Sequence, residues 1–283
     1  VNLGNGWRGE VLLCDGTGGE YSRKGWIDGL SEPGRLFDEV DGVLKEEGLN
    51  RVAVKRLVID GEQMRVVIKR HWPTMGIRQF FRSLRPGKSV RNLRISVRLM
   101  EGSIAVAVPL AAIYRRKNLL TRQSIYITRY YEDSFQLHTF ALREIGKLGS
   151  DKAAVKRRLS DEVANLLAML HKKGLRHKDA KASNFLVCRV GDGEYKILLI
   201  DMDGIKPYSV SRRESQMRSL WRLGASLMGL AEVNRTDYLR TFKSYCNLVG
   251  LDDSCRAELY RELAAMVARK VRKKNIEKQR SGQ

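Results

Sequence analysis

The sequence predicts an α+β fold in two parts: a small antiparallel-sheet unit carrying one helix, followed by a mainly helical unit. Three observations predict it. A β-branched run at 51–59 turns at Asp60-Gly61 and returns as a second β-rich run, which reads as a hairpin. A helical period of apolar residues at 89–101 lies between strands, and after about residue 130 the apolar spacing is helical nearly to the end.

Residues 1–47 are punctuated by Gly16, Gly18, Gly19, Gly25, Gly29 and Gly34 and read as an irregular N-terminal extension. The run Gly16-Thr17-Gly18-Gly19 lacks the GK[ST] ending and the preceding strand of a phosphate loop, so it reads as an ordinary loop. The first unit, 48–130, holds the hairpin, with Gln63-Met64-Arg65-Val66-Val67-Ile68-Lys69 as its return strand. Next comes a helix from Ser89 to Glu101, with Leu93, Val97 and Met100 on one stripe and Gly102 as its stop. Strands near 104–113 and 123–129 complete the unit. The second unit, 131–283, opens its helical part at 152–173, where Val155, Leu159, Val163, Leu166, Leu167 and Leu170 form a stripe that ends at Gly174. A loop and hairpin fill 175–205, and helices near 212–230, 235–249 and 253–275 follow, the last of them basic.

Composition narrows the function classes. The 43% apolar and 30% charged residues describe a globular chain, not a disordered one. Lys and Arg number 53 against 32 Asp and Glu, a net charge of +21, which points to polyanionic partners: nucleic acid, a phospholipid surface or a phosphorylated glycan. Aromatics are only 7% and show no RNP-like interleaving, which disfavours nucleic-acid readout by stacking. Four cysteines without a CxxC pair read as free thiols in a reducing compartment. The longest apolar run, Ile104 to Tyr114, is too short to span a bilayer and contains Pro109. With no leader-like segment, the chain reads as cytoplasmic.

The chemistry-bearing pattern is His177-Lys178-Asp179-Ala180-Lys181-Ala182-Ser183-Asn184, set between the long helix and the strand Phe185-Leu186-Val187. A second acidic segment, Asp201-Met202-Asp203-Gly204, ends the strand Lys196-Ile197-Leu198-Leu199-Ile200. A loop Asp followed five residues later by an Asn, then an Asp at the end of the next hairpin, matches the phosphoryl-transfer pattern of protein kinases. Phosphoryl transfer needs an oriented hydroxyl and neutralised phosphates more than covalent help. Asp179 suits the base, Lys181 the transferring charge, and Asn184 and Asp201 offer the hard oxygen ligands that Mg²⁺ prefers. Lys69, at the end of its hairpin strand, is a better candidate than Lys55 for holding the α- and β-phosphates of ATP.

With these residues the chain resembles the lipopolysaccharide kinase family, the Kdo and heptose kinases of Gram-negative bacteria, within the protein-kinase-like superfamily. Further similarity lies in Ser89-Val90-Arg91-Asn92-Leu93-Arg94, Pro109-Leu110 and Ser219-Leu220-Trp221-Arg222-Leu223, over about 50 to 230. The resemblance implies a bilobal kinase-like fold and ATP- and Mg²⁺-dependent phosphorylation of an inner-core sugar, Kdo or heptose, on a lipid A precursor. The setting it implies is peripheral, on the cytoplasmic face of the inner membrane. It makes Lys69 the nucleotide lysine, Asp179 the base, Asn184 and Asp201 metal ligands, and Asp203 the second acidic position. Two departures stand out: Asn92 occupies the place of the family's helix glutamate, toward Lys69, and no glycine-rich loop precedes the first strand, only Gly48. Arg115-Arg116-Lys117 and the tail Arg269-Lys270-Val271-Arg272-Lys273-Lys274 are the basic clusters suited to an anionic membrane surface. No obligate protein partner follows from the sequence. The alternatives are a protein or small-molecule kinase of the same fold, or an inactive kinase-like protein that binds a polyanion.

Overall fold

The computed structural model describes all residues except 15–17, 49, 73–86, 118–119, 192, 209–211 and 282–283. Part of the Gly16-to-Gly19 loop therefore lies outside the described residues, as do the side chains of the basic tail from residue 270 on. The chain divides into two compact units, Val1–Tyr131 and Glu132–Gln283.

The first unit is built on a seven-stranded antiparallel sheet. Its strands are β1 (Asn2–Gly4), β2 (Trp7–Val11), β3 (Gly42–Glu47), β4 (Asn50–Ile59), β5 (Glu62–His71), β6 (Pro109–Lys117) and β7 (Leu120–Arg129), in the spatial order β1-β2-β6-β7-β5-β4-β3. The predicted hairpin is β4–β5. Asp60 (φ 53) and Gly61 (φ 82) both take the left-handed conformation that a two-residue turn between twisted strands requires. Helix α1 (Arg23–Gly29) precedes β3, and helix α2 (Lys88–Glu101) lies between β5 and β6.

The two faces of this sheet bury different things, and period-two alternation decides which residue goes where. Ala112 and Tyr126 point to one face, where Val90 and Leu93 of α2 pack. Their neighbours Ala111, Ile113, Ile125 and Ile127 point to the other, where they meet Trp7, Tyr21, Trp26, Leu30, Leu36 and Phe37. Residues 1–47 thus depart from the irregular extension expected: they supply three strands, two at one edge of the sheet and one at the other, and a layer over the face opposite α2. Glycine richness misled there because several of these glycines are packing positions. A Cβ on Gly9 would sit 2.7 Å from the Ala112 carbonyl oxygen, so β2 pairs with β6 only where that side chain is missing. The strands expected at 104–113 and 123–129 are displaced to 109–117 and 120–129, since 104–108 bring the chain back from α2 before the continuous ladder begins.

The second unit contains α3 (Leu137–Arg143), α4 (Lys152–Lys172), α5 (Arg212–Leu227), α6 (Arg235–Val249) and α7 (Asp253–Ser281). The predicted apolar stripe of α4 is buried at Val155, Leu159, Val163, Leu166, Leu167 and Leu170. Helix α6 starts at a reciprocal Asn234/Asp237 cap and stops at Gly250, which is left-handed. The unit also holds two small antiparallel pieces. One is the sheet β11-β10-β8, of β8 (Ser134–Gln136), β10 (Phe185–Gly191) and β11 (Glu194–Leu199). The other is a ribbon of β9 (Leu175–His177) with β12 (Ile205–Pro207).

Candidate active site

The loop 177–184 is fixed at both ends by strands. Gly174 (φ 70) lets the chain leave α4 and enter β9, where His177 pairs with Ile205 of β12. At the other end Phe185 pairs with Leu199 in the β10–β11 hairpin, and one step beyond, the Ile200 amide donates to the Asn184 carbonyl at 3.1 Å. That bond registers Asn184 against the residue before Asp201. The two predicted metal ligands are thereby carried to the same open end of one hairpin by ladder geometry.

His177 joins the two segments. It is 2% exposed, and its Nδ1 accepts the Asp179 amide at 3.1 Å, so the proton resides on Nε2, which donates to the Asp201 carbonyl at 2.8 Å. Burial pushes the His177 pKa down, against the pull of the Asp201 backbone and the nearby carboxylates, so the ring is neutral at pH 7. A proton on Nδ1 would face the Asp179 N–H and break the bridge. Gly204 makes room for the ring, because a Cβ there would lie 2.6 Å from His177 Nδ1. The Gly204 carbonyl also accepts the Lys178 amide at 2.7 Å.

Asp179 organises the rest of the loop. Its carbonyl accepts the Lys181 amide at 2.8 Å and the Asn184 Nδ2 at 2.7 Å, while its half-exposed carboxylate pairs with Lys181 Nζ at 2.9 Å. Burial raises the Asp179 pKa, but Lys181, with His177 and Arg222, outweighs it and holds the carboxyl below its ordinary value. Asn184 is 7% exposed; with Nδ2 committed to the loop, its Oδ1 remains as the oxygen donor. Asp201 caps the short turn Met202–Gly204, its Oδ1 accepting the Asp203 amide at 3.3 Å, and both carboxylates are half-buried. Among the described residues no three His, Cys, Asp or Glu side chains cluster as a metal site. The donors here are two carboxylates and an amide oxygen, a set that fits Mg²⁺, which is held through few protein ligands plus phosphates and water.

In the first unit, Lys69 is half-buried on β5, directly across from Tyr126 of β7, so it shares the sheet face on which α2 packs. Asn92 lies on the buried side of α2, 1% exposed, as does Ser96, whose hydroxyl is 2.7 Å from that of Tyr126. Lys69 and Asn92 therefore belong to one face. The structure also adds a strand the sequence did not reveal: β3 pairs with β4 through the tight turn at Gly48 (φ 55).

Reasoning from the sequence missed what α5 contributes. Ser226 Oγ accepts the Ala182 amide at 2.7 Å, fastening the helix to the loop 177–184. Ser219 Oγ lies 3.1 Å from His171 Nε2, and His171 Nδ1 is 2.7 Å from the Tyr245 hydroxyl, a fully buried knot joining α4, α5 and α6. Ser215, Ser219, Arg222 and Ser226 recur at helical spacing, and that period was the available signal. The other side of α5, including Leu220, Leu223 and Leu227, lines an apolar cavity of about 610 Å³.

A profile of the lipopolysaccharide kinase (Kdo/WaaP) family matches residues 36–245. Among solved structures, the chain is similar to WaaP in complex with acyl carrier protein, with 18% identity and a TM-score of 0.56, covering 87% of this chain and 97% of that one. It is also similar to the BubR1 kinase domain, at 16% identity and a TM-score of 0.50, covering 80% of each chain. No curated protein sequence matches. Identities this low establish the fold, a protein-kinase-like α+β architecture.

Proposed function

The chain belongs to the lipopolysaccharide kinase (Kdo/WaaP) family, and on that premise we propose that it transfers the γ-phosphoryl group of ATP to a hydroxyl of an inner-core sugar, Kdo or heptose, on a lipid A precursor. The observation that carries this reading is the His177 bridge, which holds Asp179 and Asp201 in fixed relation while Asn184 is registered beside Asp201. Asp179 is ionised at pH 7 and orients the acceptor hydroxyl, taking its proton as the oxygen attacks. Lys181, paired with Asp179, supplies the charge that stabilises the transferred phosphoryl group. Asn184 and Asp201 are the residues to hold Mg²⁺, with Asp203 beside them; when bound, the ion neutralises phosphate charge. Lys69 is assigned to the nucleotide phosphates, with Asn92 on the same sheet face where the family has a glutamate. We read Val1–Tyr131 as the smaller kinase lobe and Glu132–Gln283 as the helical one.

The net charge of +21 supports work beside an anionic surface, the cytoplasmic leaflet of the inner membrane. No described helix is long and apolar enough to cross a membrane, so the association proposed is peripheral. The similarity to a WaaP captured with acyl carrier protein makes that protein a partner to test, although the sequence pointed to none. Incubating purified protein with γ-labelled ATP, Mg²⁺ and Kdo- or heptose-bearing lipid A precursors tests the function. Label in the lipid supports it, label only in added casein favours a protein kinase, and no label with any acceptor favours an inactive polyanion-binding protein.

A further inference from the structure

The stripe on α5 contains one charged residue, Arg222. Ser215 and Ser219 are fully buried, and Ser226 is fastened to the Ala182 amide at the catalytic loop. Arg222 stands one turn before Ser226 on the same face, which sets it at the edge of that loop. It is exposed, and among the described residues no hydrogen bond or ion pair holds its guanidinium, in contrast to Arg213 and Arg218 on the same helix, which are paired with glutamates. Its charge is close enough to act on both Asp179 and His177. Asp179 itself already has a cation, Lys181 at 2.9 Å. A second cation beside an already paired carboxylate has spare capacity for another anion. Arg222 thus sits, through Ser226, at the edge of the loop that carries Asp179.

We infer that Arg222 binds an anionic group of the acceptor, a carboxylate or a phosphate close to the hydroxyl that is phosphorylated, and so sets which sugars this kinase accepts. The inference rests on the functional reading above. A guanidinium fork is suited to such groups because it donates two parallel hydrogen bonds to two oxygens. At the entrance of a site, a charge-assisted pair of this kind contributes about 10- to 100-fold in acceptor affinity. Arg222 is a specificity residue in this view; the proton transfer stays with Asp179.

The test uses the full chain and acceptor pairs differing only in the anion: a Kdo-bearing lipid A precursor against its methyl ester, and a phosphorylated heptose core against the dephosphorylated one. The wild type is expected to favour the charged member of one pair by about 10- to 100-fold in kcat/KM, and that pair names the source of the anion. Arg222→Ala should raise KM for that acceptor by about the same factor, with KM for ATP within about twofold, and bring the preference close to one. Arg222→Lys should keep part of the preference, because it retains charge without the fork. An Arg222→Ala enzyme that keeps the wild-type preference overturns the inference. So does one whose kcat falls equally on both members of a pair, since Arg222 would then act only through Asp179. A wild type that uses each pair equally also overturns the inference alone. A wild type that phosphorylates none of the acceptors overturns the functional reading and this inference with it.

Discussion

Replacing Gly204 by alanine adds a single methyl group at the point where the loop 177–184 and the segment 201–204 are tied together. The backbone at Gly204 is not left-handed, so alanine carries no conformational penalty of its own and any cost is steric. The new Cβ would lie 2.6 Å from His177 Nδ1 and 3.0 Å from Nε2, both inside ordinary contact. The ring has nowhere easy to go, because Nδ1 accepts the Asp179 amide and Nε2 donates to the Asp201 carbonyl. Displacing it sacrifices two hydrogen bonds worth about 1 kcal/mol each. Strain in the packed surroundings adds about 1–3 kcal/mol. We therefore expect Gly204→Ala to destabilise the protein by about 3–5 kcal/mol and to lower kcat by moving Asp201 away from Asp179. Urea unfolding measures the first, and a double-mutant cycle with His177→Ala isolates the mechanism. Once the ring is removed the methyl group has room, so the same substitution should cost less than about 1 kcal/mol, a coupling of at least about 2 kcal/mol. A cost that is the same with and without the imidazole, or below about 1 kcal/mol in the wild type, refutes the bridge as described.

Three further outcomes follow from the same geometry. Asp179→Asn should lower kcat by about 10²- to 10⁴-fold and leave ATP affinity nearly unchanged, measured by steady-state kinetics and equilibrium nucleotide binding; an equal loss in both would remove its role as base. His177 has a folded-state pKa below its ordinary 6.5, so the unfolded chain binds the extra proton first and stability falls as pH drops through 6.5 toward the folded value. Thermal melts between pH 7.5 and 5.5 should show this loss, flattened in His177→Gln, whereas the depressed Asp179 contributes its own loss only as pH falls below its ordinary value of 3.8. Ser226→Ala removes the acceptor of the Ala182 amide at 2.7 Å and should cost about 1–2 kcal/mol together with a fall in kcat, read by denaturation and assay side by side.

The parts of the molecule legible in the sequence are those where local chemistry and tertiary structure agree. Asp60-Gly61 announced its hairpin because both residues tolerate positive φ, and the α4 stripe announced a buried face because its period matches the helix. The 177–184 and 201–204 segments were readable as motifs, and the structure shows what ties them to each other: the His177 ring, and Gly204, whose missing side chain leaves space for it. Residues 1–47 were misread because glycines usually mark loops, whereas Gly9 lets a strand pair closely and Trp7 and Trp26 bury themselves in the sheet's outer layer. Strand β3 escaped notice because its residues are mostly exposed, so Val43, Leu44, Lys45 and Glu46 show no alternation to read. Arg222 was quoted as part of a similarity and given no role, since its place depends on how α5 is fastened at Ser226, a contact no local pattern encodes.

ATP affinity measured by calorimetry with and without Mg²⁺, on the wild type and on Asp201→Ala, bears most directly on whether Asn184 and Asp201 together hold the metal–nucleotide complex. The wild type should bind ATP at least about tenfold more tightly with Mg²⁺ than without, and the variant should lose that gain while remaining folded. Equal Mg²⁺ enhancement in both proteins would contradict the assignment.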